Sequence, residues 1–253
     1  MNDPLEYKWS QDSLRKLDKD TGGFDKYTKR IIGNLNKNTA PFIVSLSGAE
    51  DDLPQWKTYG GNGYGYAIRF KVDALLSEAA ATVKSAKDKY YLADGAPRVL
   101  GDAGDVVGLN QVYYVSEDEQ AQIVRNIFEL TKTRLHSDLE IQIANTLAVS
   151  KVSPWIKRQG YASEHEFRLV LQDLQPAPMS SKVANYLPVG THIKGNIFVP
   201  HVELHIPSSV DKVMIGPSLR GYKELAKIGL RELLDQSICG KVVLNSSVHQ
   251  YQG

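Results

Sequence analysis

Phe42-Ile43-Val44-Ser45-Leu46-Ser47 is β-branched and apolar enough to form a buried strand, and the segment immediately after it decides how the chain is built. Glu50-Asp51-Asp52 leads into Leu53-Pro54-Gln55-Trp56-Lys57-Thr58-Tyr59, a helical turn for which Asp51 or Asp52 is the expected N-cap. Gly60-Gly61-Asn62-Gly63-Tyr64-Gly65 then reads as a tight turn, and Tyr66-Ala67-Ile68-Arg69-Phe70 as a second strand. The unit is strand, helical turn, strand. Because the glycines open a strand and not a helix, they are no dinucleotide-binding fingerprint.

Working outward, residues 1–40 are polar and helical in part, anchored by Leu14, Leu17, Ile31, Ile32 and Leu35. Residues 71–90 are an Ala-rich helical stretch around Leu75, Leu76, Ala79 and Val83, and 93–110 read as a Gly- and Asp-rich loop. Val112-Tyr113-Tyr114-Val115 predicts a strand. From Glu117 to about Ser150, Ile123, Ile127, Leu130, Leu139, Ile143 and Leu147 recur with helical spacing, over one long helix or two. Strands are expected at 164–172, 196–205 and 211–216, a helix at 222–236 and a last strand at 241–245. No linker or repeat divides the chain, so the expectation is one α+β domain over 1–253, a mixed or antiparallel sheet core with flanking helices.

Bulk composition excludes several function classes. Of 253 residues, 42% are hydrophobic and 23% charged, an ordinary globular balance. The formal net charge is +1, without the basic excess that phosphate-gripping proteins carry. The single cysteine, Cys239, permits no intrachain disulfide, fits a reducing compartment, and reads as a packing residue at a helix end. Met1-Asn2-Asp3-Pro4-Leu5-Glu6 does not open a signal peptide, and no window reaches the roughly 18 apolar residues of a membrane helix. A soluble, cytoplasmic protein without membrane contact is expected.

Chemistry concentrates in Lys157-Arg158-Gln159-Gly160-Tyr161-Ala162-Ser163-Glu164-His165-Glu166-Phe167-Arg168-Leu169-Val170-Leu171. On a strand, Glu164, Glu166 and Arg168 share one face, while Phe167, Leu169 and Leu171 enter the core. Two carboxylates and a guanidinium in a row form either a solvated strand surface or a pocket wall. In a pocket, one carboxylate serves as base or holds a ribose hydroxyl while the arginine orients it. Ser45 and Ser47 share a face of the first strand and need partners there, whether a site or the backbone. Ser45 lacks a nucleophile elbow, which argues against a hydrolase triad. His201, Glu203 and His205 alternate along an expected strand, yet three such residues on a half-exposed strand rarely hold a metal, and none is expected. The acidic run 117–119 reads as a helix start and Gly104-Asp105 as solvated loop.

These segments resemble a bacterial family of unknown function, the one numbered twenty-nine seventy-one. The likeness is carried by Ser45-x-Ser47, Asp51-Asp52 with Trp56, and Tyr59 to Gly65. It continues in Lys157, Gly160-Tyr161 and Glu164-x-Glu166-Phe167-Arg168. Val213-Met214-Ile215-Gly216-Pro217, Ser247 to Tyr251 and Asn2-Asp3-Pro4-Leu5-Glu6 extend it along the whole chain. Family members carry a first strand ahead of the last motif, and here the chain starts at that motif. The order of a Ser-x-Ser strand followed by Glu-x-Glu is also that of ADP-ribosyltransferases. That similarity implies NAD as substrate, Glu166 as the catalytic carboxylate with Glu164 and Arg168 beside it, and Ser45 and Ser47 as pocket floor. It also implies Trp56, Tyr59 or Tyr64 stacking on nicotinamide, and a protein or nucleic-acid acceptor that no residue specifies. Such enzymes need an Arg or His on the first strand, for which Arg15 and Arg30 are the candidates. Two other classes stay open. A non-catalytic interaction protein would pair Glu166 with Arg168. A metal-dependent hydrolase or nuclease would need a third acid near Glu164, such as Asp51 or Asp52.

Overall fold

The computed structural model describes residues 41–94, 107–135, 137–172, 189–194, 197–236 and 242–249. The expectations for 1–40, including Arg15 and Arg30, for Gly104-Asp105, for Cys239 and for Tyr251 lie outside these residues. The fold is α+β, with helices and small mixed or antiparallel sheets. Contacts gather the chain into two compact units: Met1–Leu46 with Ala86–Val202, and Ser47–Ser85 with Glu203–Gly253.

In the first unit, β1 (Phe42–Ser47, ending at the unit boundary), β6 (Glu166–Leu171) and β3 (Val107–Gln111) form a sheet in the order β1-β6-β3. β3 runs antiparallel to β6, from Val107 opposite Leu171 to Gln111 opposite Phe167. It occupies part of the stretch read as loop, where Gly108 and Asn110 mask the alternation of Val107 and Leu109. β6 is central, and a strand covered on both sides buries consecutive residues: Leu169, Val170 and Leu171 are all buried. β4 (Tyr113–Val115) pairs in parallel with β5 (Ile156–Arg158), a strand too short to show a period in sequence. The periodic stretch resolves into two helices, α3 (Glu117–Lys132) and α4 (Asp138–Val152), packed on each other. Ser116 starts α3 with a capping box: its hydroxyl accepts from Glu119 N, and the Glu119 carboxylate accepts from Ser116 N. β7 (Val189–Lys194) and β8 (Ile197–Val202) make an antiparallel hairpin.

The second unit holds α1 (Leu53–Thr58), β2 (Tyr66–Phe70), the first part of α2 (Val72–Asp94), β9 (Val210–Ile215), α5 (Lys223–Gln236) and β10 (Val243–Ser246). Its sheet has the order β10-β9-β2, with β10 parallel and β2 antiparallel to β9. Asp52 is the N-cap of α1, accepting from Gln55 N at 3.3 Å. Asp51 instead takes the Trp56 indole N–H at 2.6 Å, the Ser247 hydroxyl at 2.9 Å and the Val248 amide at 3.0 Å. The His249 ring contacts the Asp51 carbonyl at 2.8 Å. One short acidic side chain thereby ties three places in the sequence together. Gly61 and Gly63 adopt φ of +59° and +82° in the turn, conformations that glycine enters freely. That turn ends against Gly216, whose amide donates to Gly65 O while Ser218 N donates to Gly63 O.

Candidate functional site

Strand β6 begins two residues later than its alternation suggests. Gln159–Glu164 form a 3-10 helix, and His165 caps it in the left-handed region at φ +46°. Glu164 therefore lies on the 3-10 turn and only Glu166 and Arg168 on the strand. The His165 kink still lets both carboxylates converge on one ammonium: Lys157 Nζ donates to Glu164 Oε2 at 2.6 Å and to Glu166 Oε2 at 3.0 Å. Parallel pairing places Lys157 opposite Tyr114, whose phenol oxygen accepts from Glu166 N at 2.8 Å. The Tyr161 ring lies 4.7 Å from the Lys157 ammonium, within cation–π range.

Arg168 completes the cluster. Its Nε donates to Glu166 Oε1 at 2.8 Å and Nη2 to Oε2 at 3.2 Å, a two-point fork, while Nη1 donates to the Pro154 carbonyl at 2.7 Å. Ser45 lies on the neighbouring strand β1, on its exposed side, and its hydroxyl helps to lower the Glu166 carboxyl. Glu166 and Arg168 are each 3% exposed and Lys157 is 7% exposed. The solvated-surface reading of this face is thus overturned, because the charged face of β6 is as deeply buried as its apolar one. Two acids and two bases cancel, which is the condition under which charges tolerate removal from water.

Burial by itself would push the Glu166 carboxyl up. The hydrogen bonds from Arg168 and Ser45, the Arg168 charge and the Lys157 ammonium outweigh burial and hold it below its ordinary value. Burial raises the Tyr114 phenol against the hydrogen bond it accepts, so it stays neutral. A carboxyl lowered in the folded state contributes stability that is full above its unfolded pKa and lost as pH falls through the folded one. Asp51 is lowered likewise: burial opposes, and the bonds from Trp56, Val248 and Ser247 prevail. We therefore expect the urea midpoint to hold between pH 7 and about 5 and then fall toward pH 3. Glu166→Gln will start from a lower midpoint and show a shallower acid decline; an unchanged acid slope in that variant would contradict the assignment.

Among the remaining sequence candidates, Ser47, Trp56, Tyr59 and Tyr64 belong to the second unit. Ser47 accepts from Ala49 N at 3.1 Å. Trp56 is a core side chain, 4% exposed, with its ring N–H given to Asp51, which leaves its ring no open face to serve as a stacking wall. Tyr59 and Tyr64 are 64% and 63% exposed. Alternation of His201, Glu203 and His205 along one strand fails, because β8 ends at Val202. Among the described residues, no three His, Cys, Asp or Glu side chains gather as a metal site requires. Asp51, offered as a third acid, is engaged by Trp56, Ser247 and Val248.

Lys157 and Tyr114 are the members that sequence reading left out of the site. Lys157 had a signal, the fixed spacing of Lys, Gly-Tyr and Glu-x-Glu-x-Arg. Tyr114 had none, since its place depends on the β4–β5 register. That same spacing falls within a stretch, residues 55–169, that matches a family profile. The profile is that of the family described as protein of unknown function, DUF2971, and it covers just under half of the chain. The DUF2971 match takes in Trp56, the glycine turn, Lys157, Glu164, Glu166 and Arg168, whereas Ser45, Gly216-Pro217 and the Ser247 segment lie beyond it. No curated protein and no solved structure matches the chain, so the likeness to ADP-ribosyltransferases rests on motif order alone. No described helix is long and apolar enough to cross a membrane.

Proposed function

We propose that this DUF2971 chain is an interaction protein in which the Glu-x-Glu-x-Arg cluster is a structural keystone and not a reaction centre. The observation that carries this is the saturation of Glu166. Both carboxylate oxygens are taken by the Arg168 fork, Lys157 adds to one, and the group is 3% exposed. A carboxylate that stabilises a developing positive charge must keep acceptor capacity for it. Here the protein's own cations use that capacity. The lone cysteine suits the cytoplasm as the place of action.

A second reading has an observation of its own. The Ser45 strand lies beside the strand of Glu166, and the Ser45 hydroxyl helps to lower that carboxyl, a proximity that an NAD-using transferase or glycohydrolase requires. In that reading NAD is the substrate. Glu166 with Arg168 and Lys157 positions Glu164, the less buried of the two glutamates, against the nicotinamide ribose. No metal is needed.

Incubation with millimolar NAD, with and without cell lysate as a source of acceptor, separates the two. We expect no nicotinamide release from the wild-type protein or from Glu164→Gln, and a clear loss of thermal stability in Glu166→Gln. Release that disappears in Glu164→Gln while that variant keeps its melting temperature would establish the transferase and sink the keystone reading.

A further inference from the structure

Helix α5 (Lys223–Gln236) is apolar on more than the face it packs. Ala226, Leu230 and Leu234 are partly covered along the side toward β9 and β10. Tyr222, just ahead of the helix, and Leu225, Ile228 and Leu233 on it are all more than 60% exposed. A helix that is apolar beyond one stripe is expected to have further cover. Beside this surface, α5 and β10 leave a groove of about 390 Å³, lined by Lys227, Ile228, Arg231, Glu232 and Leu244. Ile228 and Leu244 supply an aliphatic floor. Lys227 and Arg231, one turn apart, place two cations at the same groove, against the single carboxylate of Glu232.

Neither cation is committed deeply. Lys227 pairs with Glu224 at 2.7 Å in an i,i+3 contact on the surface, and such pairs contribute little. Arg231 gives only Nη1, to the Val242 carbonyl at 3.2 Å, which fixes the guanidinium at the groove. Its other donors have no partner among the described residues. A planar fork held in place but not satisfied is suited to a carboxylate.

We propose that the α5–β10 groove is a docking site for an acidic peptide segment of a partner protein, with an aliphatic side chain seated on Ile228 and Leu244 and carboxylates on Lys227 and Arg231. Charge chooses this occupant: a basic or neutral segment would leave the two cations uncompensated at an apolar surface. The proposal deepens the interaction-protein reading by naming the kind of partner, and rests on that reading only for its biological sense. The groove and the Glu166 cluster share no residue, so each fails on its own experiment.

The test uses the full chain and a fluorescent ten-residue peptide of Glu and Leu, with a second peptide in which Lys replaces every Glu. Anisotropy should show saturable binding of the acidic peptide alone, weakening with added salt. Arg231→Glu and Lys227→Glu should each weaken it about tenfold, the scale of a good charged contact at an interface. Leu225→Ser, outside the groove, should leave it unchanged. All three positions are partly or fully exposed, and circular dichroism checks that the variants fold. No saturable binding, equal binding of the Lys peptide, or wild-type affinity in both charge reversals would overturn the proposal. So would a concentration-dependent dimer that Ile228→Ser abolishes, since the occupant would then be a second copy of the chain.

Discussion

Arg168→Ala is expected to lower the unfolding free energy by about 3–5 kcal/mol, the cost of stranding a buried charge whose partner is removed. Glu166 would be left 3% exposed with Lys157 as its remaining cation, and the Pro154 carbonyl would lose the Arg168 donor. The residual charge of the cluster would pass from zero to −1 in a place that water does not enter. Urea unfolding at pH 7 measures the loss, and acid should relieve part of it. Protonating Glu166 removes the stranded charge, so the gap between variant and wild type should narrow as pH falls toward 4. A loss under about 1 kcal/mol would mean that the fork adds little, and the keystone role would fall with it. A companion variant separates charge from packing. Arg168→Met combined with Glu166→Leu removes both charges at similar volume and should recover most of the stability, because well-packed apolar replacements of buried ion pairs are often neutral.

The second large effect is expected at Gly216. A Cβ built there would stand 2.2 Å from the Gly63 carbonyl oxygen and 2.9 Å from Gly65 O, both backbone atoms that no rotamer change can move aside. Gly216→Ala must therefore displace the glycine turn from the end of β9, breaking the bonds from Gly216 N and Ser218 N. We expect a loss of about 3 kcal/mol, the upper end for overpacking. Gly229→Ala is the matched control. Gly229 sits on helix α5 with nothing within 4 Å of the added carbon, so the same change should stabilise by about 0.5–1 kcal/mol through helix propensity. Equal effects at the two glycines, read as thermal midpoints, would refute the clash argument.

How far the sequence reaches depends on the range of the forces involved. The elements from Phe42 to Phe70 were legible because capping by Asp52, the glycine turn and β-branched runs are local devices. The burial expected of β1 fails, however: none of its residues is buried, and Val44, Ser45 and Ser47 are exposed. The capping box at Ser116 and the helix at 223–236 belong to the same class. β5, at three residues, and β7 carried too little pattern to be seen, and β3 was hidden in a glycine-containing stretch. Within the site, the composition of the cluster was legible and its environment was not. Alternation placed Glu166 and Arg168 on one face but said nothing of β1, β4 and β5 closing over it. The left-handed turn at His165 was equally invisible, since histidine carries no signal comparable to glycine at such a position. Burial is a property of the neighbours, and that is why alternation alone left the exposure of this face undecided when it is interior.

The second unit is discontinuous along the chain, and this bears on how the protein emerges from the ribosome. β2 ends at Phe70, and its hydrogen-bonding partner β9 starts at Val210. At 5–20 residues per second, the strand, the glycine turn and Trp56 wait roughly seven to thirty seconds before β9 exists to pair with β2. Asp51 waits longer still, since its partners Ser247 and Val248 are made after β9. By the end of that interval the first unit's segments are complete through Val202 and free to fold. The order of synthesis thus delays completion of the second unit and leaves the nascent β2 edge, with Tyr66 and Ile68, open meanwhile to chaperones and to misassociation.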